Sequence, residues 1–303
     1  MAMEEKGRIL DSFQGEEGRV KIAAYLRIEA GAADAFEQMT SFMNERSLSY
    51  PLVLKPDFGQ RGQGVEIVKN GMEARRWITK CEDGIIVQEY IGGLEFGVHW
   101  ARFPNEETGM ITSICGKHAQ FVEGDGKMTL AELILHDDRA VLSSGYYFSK
   151  YADQLSRVLE EGERFMVAPI GTHSRGAVFT DERELATEGL REAFDELGRR
   201  FPGFNFDRYD VKVPSVDDLQ AGRNIVVLEL NGVMGEPAHI YHPGYPWRKG
   251  MADLCGHFRL AAEIGAAWRN RGIAPPEPGD LLDLIRQHRE KVYLEVDEFE
   301  RTT

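Results

Sequence analysis

The sequence predicts an α+β fold of two subdomains, residues 1–94 and 95–303, and three observations carry that expectation. Up to residue 94, short apolar strands alternate with segments whose apolar residues fall at helical spacing. From Glu95 the chain turns strand-rich, and helical spacing returns over 251–269 and 280–292. No internal repeat, low-complexity tract or Pro-rich linker interrupts the pattern.

Taken in order, periodicity predicts a short helix over 6–14, a strand over 20–26, a helix over 32–46 and a strand over 51–55. A glycine-rich loop follows, then a strand over 64–68, a helix over 72–78 and a strand over 84–91. Beyond Glu95 come EFGVHWARF and MITSICGKHAQFV, a turn at GDGK leading into the short helix TLAELIL, and a helix over 181–200. Strands at 207–213 and 224–230 precede the final helical segments.

With 303 residues, 42% of them hydrophobic, the chain can bury one large core or two joined ones. A formal net charge of −14 argues against a protein that grips nucleic acid or anionic lipid. The start MAMEEKGRIL lacks the positive and apolar regions of a signal peptide, and no stretch reaches the roughly 18 apolar residues of a membrane span. A cytoplasmic location is the expectation. Cys81, Cys115 and Cys255 lie far apart without a CxxC pair, as buried or idle thiols do.

The stretch LKPDFGQRGQGV, residues 54–65, places a lysine at the end of an apolar strand and glycines directly after it. Gly59 and Gly64 have the spacing of a Walker A loop, but Val65 and Glu66 stand where Lys and Ser or Thr are required, and no GxGxxG is present. What remains is a hairpin. Its backbone N–H groups can fold over phosphates while Lys55 supplies a point charge, or it is an ordinary glycine hairpin with a snorkelling lysine.

Two further constellations follow. VQEYIGGLE carries Glu95 beyond a strand and a Gly-Gly turn, where a carboxylate suits either ribose hydroxyls or solvent. Asp210 in RYDVKV, with Glu229 and Asn231 alternating in LELN, offers oxygen ligands suited to a hard divalent cation such as magnesium; alternating polar residues on a half-exposed strand would look the same. Glu236, His239 and His242, spaced by three, would share a helix face as transition-metal ligands, but Pro-Gly-Tyr-Pro breaks a helix there.

In their order, these pieces resemble the ATP-grasp superfamily, and more closely its carboxylate–amine ligases such as the D-alanine–D-alanine ligases. GDGKMTLAELI is similar to a segment of cyanophycin synthetase-like ligases, and the resemblance spans roughly residues 50–245. It implies two ATP-grasp subdomains clasping ATP, with Lys55 on the α- and β-phosphates and Gly59, Gln60, Arg61, Gly62 and Gly64 in the loop over the triphosphate. Gln88, Glu89, Tyr90 and Ile91 would hold adenine, and Glu95 the ribose. Asp210, Glu229 and Asn231 would ligate two Mg2+ ions, with Mn2+ as a substitute. Arg208 would face the oxyanion of a tetrahedral intermediate, and Lys117 the transferred phosphate.

The implied activity is an ATP- and Mg-dependent ligase that joins a small carboxylate to an amine through an acylphosphate, releasing ADP and phosphate. A small-molecule kinase and an ATP-binding sensor or incomplete subunit are the alternatives. His173, Arg175 and His239, in loops rich in polar residues, are candidates for substrate contact, and Lys6 for an earlier phosphate lysine. The family's ligases carry a Rossmann-like domain of about 100 residues before the grasp. Here only about 50 residues precede Lys55, so most of that domain is expected to be missing, which leaves room for a partner subunit or a homo-oligomer to supply it.

Overall fold

The computed structural model describes residues 6–12, 18–57, 62, 64–168, 171, 173, 176–201, 203–275, 277, 279–280 and 282–283. Gly59, Gln60, Arg61 and Arg175, the side chain of Lys6 and most of the helix expected over 280–292 lie outside the described residues. Among the described residues the architecture is α+β, with sheets of six, four and two strands.

The first helix, α1, spans Lys6–Asp11, and the strand expected over 20–26 is two strands. β1 (Val20–Ile22) pairs in parallel with β12 (Ile225–Leu230), whereas β2 (Tyr25–Ile28) pairs antiparallel with β5 (Ile85–Glu89) in a different sheet. Ala23 and Ala24 make the crossing. The Ala23 amide donates to Val227 O at 2.9 Å, and the Ala24 amide to the Glu89 carboxylate at 3.3 Å. A uniform apolar period could not reveal that one run of chain serves two sheets.

The four-stranded sheet runs β2-β5-β3-β4, with β3 at Leu52–Pro56 and β4 at Glu66–Val68. β3 and β4 form the expected hairpin, Leu52 opposite Val68 and Leu54 opposite Glu66. Within its loop Gly62 and Gly64 have φ of 74° and 70°, and a Cβ on Gly64 would fall 2.6 Å from the Pro56 ring, so glycine is required there. Two helices cover this sheet, α2 (Ala35–Glu45) and α3 (Gly71–Lys80). α3 starts where the Asn70 side chain accepts from the amides of Met72 and Glu73, and Met39, Phe42, Leu52, Leu54, Val68, Ala74 and Val87 close the core.

The six-stranded sheet runs β1-β12-β11-β6-β7-β10. β6 is Leu94–Ala101, β7 Met110–His118, β10 Val178–Asp181 and β11 Phe206–Val213. One face packs against α6 (Glu188–Arg199), which Thr187 caps and which presents Leu190, Ala193, Phe194 and Leu197 to Val98, Trp100, Tyr209 and Val211. The short α7 (Val216–Gln220) joins β11 to β12, and α8 (Trp247–Asn270) carries His257 and Ile264 into the opposite side of the molecule. The helix expected over 181–200 thus begins at 188, because Asp181 closes β10 and a 3-10 turn at Arg183–Leu185 intervenes.

A third core lies under the two-stranded sheet of β8 (Gln120–Glu123) and β9 (Arg164–Ala168), with α4 (Leu130–His136) and α5 (Ser144–Lys150). The GDGK segment has a local structural account. Asp125 accepts from the amides of Lys127 and Met128, Gly126 takes φ of 72°, and Thr129 with Glu132 forms a capping box that starts α4. No helix among the described residues is long and apolar enough to cross a membrane.

Behind the large sheet, Trp100 is fully buried and donates from Nε1 to Asp195 Oδ1 at 2.9 Å. Trp100→Phe keeps a ring but removes that donor and part of the packing. It is expected to lower unfolding free energy by about 1–3 kcal/mol, read as a lower urea midpoint at unchanged slope.

Candidate active site

Cross-strand register assembles the site on the face of the large sheet away from α6. Partners in an antiparallel pair share a face, so β11, β6 and β7 build rows across it. Lys212 stands opposite Glu95, and Glu95 opposite Lys117. Asp210 stands opposite Gly97 on one side and Glu229 on the other, and Arg208 opposite His99, which in turn faces Ser113.

The charged side chains of these rows form one cluster. Lys117 Nζ lies 2.7 Å from Asp210 Oδ2 and 3.5 Å from Glu95 Oε1, and Lys212 Nζ lies 3.2 Å from Glu95 Oε2. Arg208 Nε sits 3.3 Å from Asp210 Oδ1 while its Nη2 donates to Asn231 Oδ1 at 2.8 Å and its Nη1 to Glu236 O at 3.1 Å. Burial alone would push Lys117 toward its neutral form, but the carboxylates of Asp210 and Glu95 prevail and raise its pKa. Burial likewise works against the Asp210 carboxylate, and Lys117 and Arg208 overcome it, holding Asp210 below the usual carboxylate range. Gly97 makes room for the cluster, since a Cβ there would lie 3.3 Å from Arg208 Cδ and 3.4 Å from Asp210 Oδ1.

The four-stranded sheet delivers its lysine to the edge of this cluster. Lys55 is 4% exposed and donates to Gln88 Oε1 at 3.1 Å and to Leu228 O at 3.4 Å; Gln88 Nε2 donates to the same carbonyl at 3.0 Å. Leu228 directly precedes Glu229, so the two sheets meet beside the Asp210–Glu229 pair. Glu89 ends β5, and Tyr90 and Ile91 continue from it, Tyr90 being exposed.

Asp210, Glu229 and Asn231 offer hard oxygen donors on neighbouring positions of two strands. Asp210 Oδ1 makes no hydrogen bond but is ion-paired with Arg208 Nε at 3.3 Å, and Asn231 Oδ1 is held by Arg208, so a cation here would compete with that guanidinium. Among the described residues no three His, Cys, Asp or Glu side chains group closely enough to hold an ion, so a divalent cation here would also need the Asn231 amide and oxygens of a ligand. Glu236, His239 and His242 form no such group either.

His173 packs against Tyr241, with ring centroids 4.9 Å apart, and against Phe179. His239 is placed differently from its expected contact with substrate. It is 2% exposed, with Nδ1 2.7 Å from Ser113 Oγ and Nε2 3.1 Å from Asp253 Oδ2, so both ring nitrogens are occupied inside the protein. It braces the 3-10 turn Ala238–Tyr241 between β7 and α8.

Gly97, Lys212, His99 and His257 belong to the site's surroundings without having been singled out. Lys212 was legible, since it keeps the alternation of Arg208 and Asp210 on β11. The others depend on which strand or helix lies alongside. His99 and His257 stack edge to face at 4.5 Å, beside Phe206.

Comparison with known proteins places the four-stranded sheet. Residues 27–95 match the RimK-like ATP-grasp domain. The matched segment runs from within β2 to the start of β6 and contains Lys55, the glycine-rich stretch, Gln88 and Glu95. No curated protein matches the sequence. Among solved structures, the D-alanine–D-alanine ligase of Bacillus anthracis aligns at 16% identity with a TM-score of 0.42, covering 83% of this chain and 64% of that one. A D-Ala:D-Ser ligase of Enterococcus faecalis aligns at 17% identity and a TM-score of 0.40, over 79% of this chain and 57% of that one. The bifunctional glutathione synthetase of Pasteurella multocida aligns at 14% and 0.38, over 78% and 32%. The chain therefore spans between about a third and two thirds of the length of these structures.

Two expected outcomes follow from the geometry. Gly97→Val should destabilise by about 1–3 kcal/mol through overpacking, whereas Gly92→Val, where an added Cβ meets nothing within 4 Å, should stay within about 0.5 kcal/mol of the parent in urea melts. The second concerns the buried histidines. Burial, with smaller contributions from His257 and Arg208, lowers the pKa of His99 well below its ordinary value, and burial lowers His257 to about 4. Unfolded chains take up protons on histidine as pH falls through about 6.5, while the folded His257 stays neutral to near 4, so stability should decline over that window. His257→Gln should flatten the decline when urea midpoints at about pH 7 and about pH 5 are compared.

Proposed function

We propose that the chain is an ATP-dependent ligase that joins a small carboxylate to an amine. The observation that carries this reading is the junction of Lys55 and Gln88, both in the RimK-like ATP-grasp segment, with Leu228, one residue before the Asp210–Glu229 pair. A nucleotide lying along that junction would have Lys55 at its α- and β-phosphates and the glycine loop, Gly59 to Gly64, above the triphosphate. Residues 88–91 would border adenine and Glu95 the ribose. Residues 1–94 and 95–303 would supply the two halves of the clasp, with β1 contributed to the second.

Asp210, Glu229 and Asn231 would hold magnesium, which supplies charge neutralisation on the phosphates. The chain's own cations do the remaining electrostatic work. The acid's carboxylate would attack the γ-phosphorus, breaking its bond to the β–γ bridging oxygen and leaving ADP and an acylphosphate. The amine would then add to the acyl carbon and expel phosphate. Lys117, buried and kept protonated by Asp210 and Glu95, suits the transferred phosphoryl group. Arg208, fixed by Asn231 and Glu236, presents preorganised positive charge where an oxyanion would form. His173 beside Tyr241, with Arg175, would border the substrate.

The test is release of ADP and phosphate from magnesium ATP across a panel of small carboxylates and amines. Turnover requiring both partners, absent from Asp210→Ala and reduced about 100- to 1000-fold in kcat by Arg208→Met, is the expected result. Phosphorylated acid accumulating in the presence of every amine would instead make the protein a kinase. ATP binding without turnover on any pair would sink the ligase reading.

A further inference from the structure

Asp207 is 0% exposed and lies on β11 with its side chain on the α6 face, opposite in parity to Arg208 and Asp210. An ionisable group inside an apolar cluster is costly unless its oxygens are used. Its Oδ1 accepts from the Asn231 amide at 3.1 Å, while its Oδ2 is buried without a hydrogen-bond partner. The same amide also donates to Arg208 O at 3.1 Å, at the point where β12 ends. There Asn231 leaves the strand, and Gly232 turns the chain with φ of 64°. Asn231 in turn grips Arg208 twice, accepting from Nη2 at 2.8 Å and donating from Nδ2 to Arg208 O at 3.1 Å.

One buried carboxyl therefore ties together, from behind the sheet, the two residues that the proposed function uses in front of it. A leucine would suit the apolar cluster behind the sheet, which includes Val98, Trp100, Phe194, Tyr209 and Leu230, more cheaply, yet would leave the Asn231 amide with only its bond to Arg208 O. We propose that Asp207 is a positioning residue: its Oδ1 fixes the Asn231 amide at the start of the Asn231–Gly232 turn and thereby the direction in which Asn231 and Arg208 face the site. The link to catalysis rests on the ligase reading; the fixing of the turn does not.

Two variants separate the roles. Asp207→Leu keeps bulk and removes the acceptor, whereas Asp207→Asn keeps an acceptor oxygen. In amide hydrogen exchange on the full chain without ligand, Asp207→Leu is expected to speed exchange at residue 231 about 10-fold, with Asp207→Asn close to the parent and Val98 and Ile114 unchanged in both. In nucleotide titrations, Asp207→Leu should raise the half-saturating magnesium concentration for ATP binding about tenfold and leave metal-free ATP affinity unaltered. Exchange at 231 within twofold of the parent in Asp207→Leu would overturn the proposal. So would acceleration spread equally over Val98 and Ile114, which would make Asp207 a general core residue. Should the parent show no magnesium-dependent ATP binding, the ligase reading falls while the exchange result still decides whether Asp207 fixes the turn.

Discussion

Mutual neutralisation of buried charge organises this molecule. Lys117, Glu95, Asp210, Arg208 and Lys212 share one face of the large sheet, and none could be taken out of water alone at tolerable cost. Each is satisfied only because strand register sets opposite signs side by side, and because Gly97 leaves the space in which they meet. Glu229, opposite Asp210, adds a third carboxylate beside the three cationic groups, so opposite charges on this face are close to balanced.

The support for this face is polar as well. Ser113, His239 and Asp253 form a chain of contacts from β7 to α8, and Arg183 and Tyr245 join it at Asp253. The 3-10 turn Ala238–Tyr241, two residues after Glu236, whose carbonyl holds Arg208, is thus anchored at several points. Networks of this kind specify one geometry more sharply than apolar contact, because each donor has a restricted set of acceptors.

Much of this was legible in the sequence and some was not. The lysine strand, its glycine hairpin and the strands of Asp210 and Glu229 follow from apolar period and residue type, and the structure has them within a few residues of the expected limits. Cross-sheet relations were not legible. Nothing local in VKIAAYL marks Ala23–Ala24 as a crossing, and nothing in FDRYD distinguishes Asp207, which faces the core, from Asp210, which faces the site, until the partner strands are known. His239 shows the converse: a loop histidine among polar residues invites a ligand role, but tertiary packing closes both its nitrogens.

The crossing at Ala23–Ala24 sets how the two sheets can move. Because β1 and β2 are consecutive in one run of chain, bound to different sheets, the sheets cannot slide apart without stretching that run. Rotation about it is the cheaper freedom. In the order β2-β5-β3-β4, the edge strand β4 lies three strand spacings from the pivot, about 14 Å. A tilt of about 10° would therefore carry β4 by roughly 2 Å while Glu89 and its neighbours, next to the axis, shift much less. A small angular change at two alanines is in this way geared into a larger displacement of the far edge strand, with β2 acting as the fulcrum.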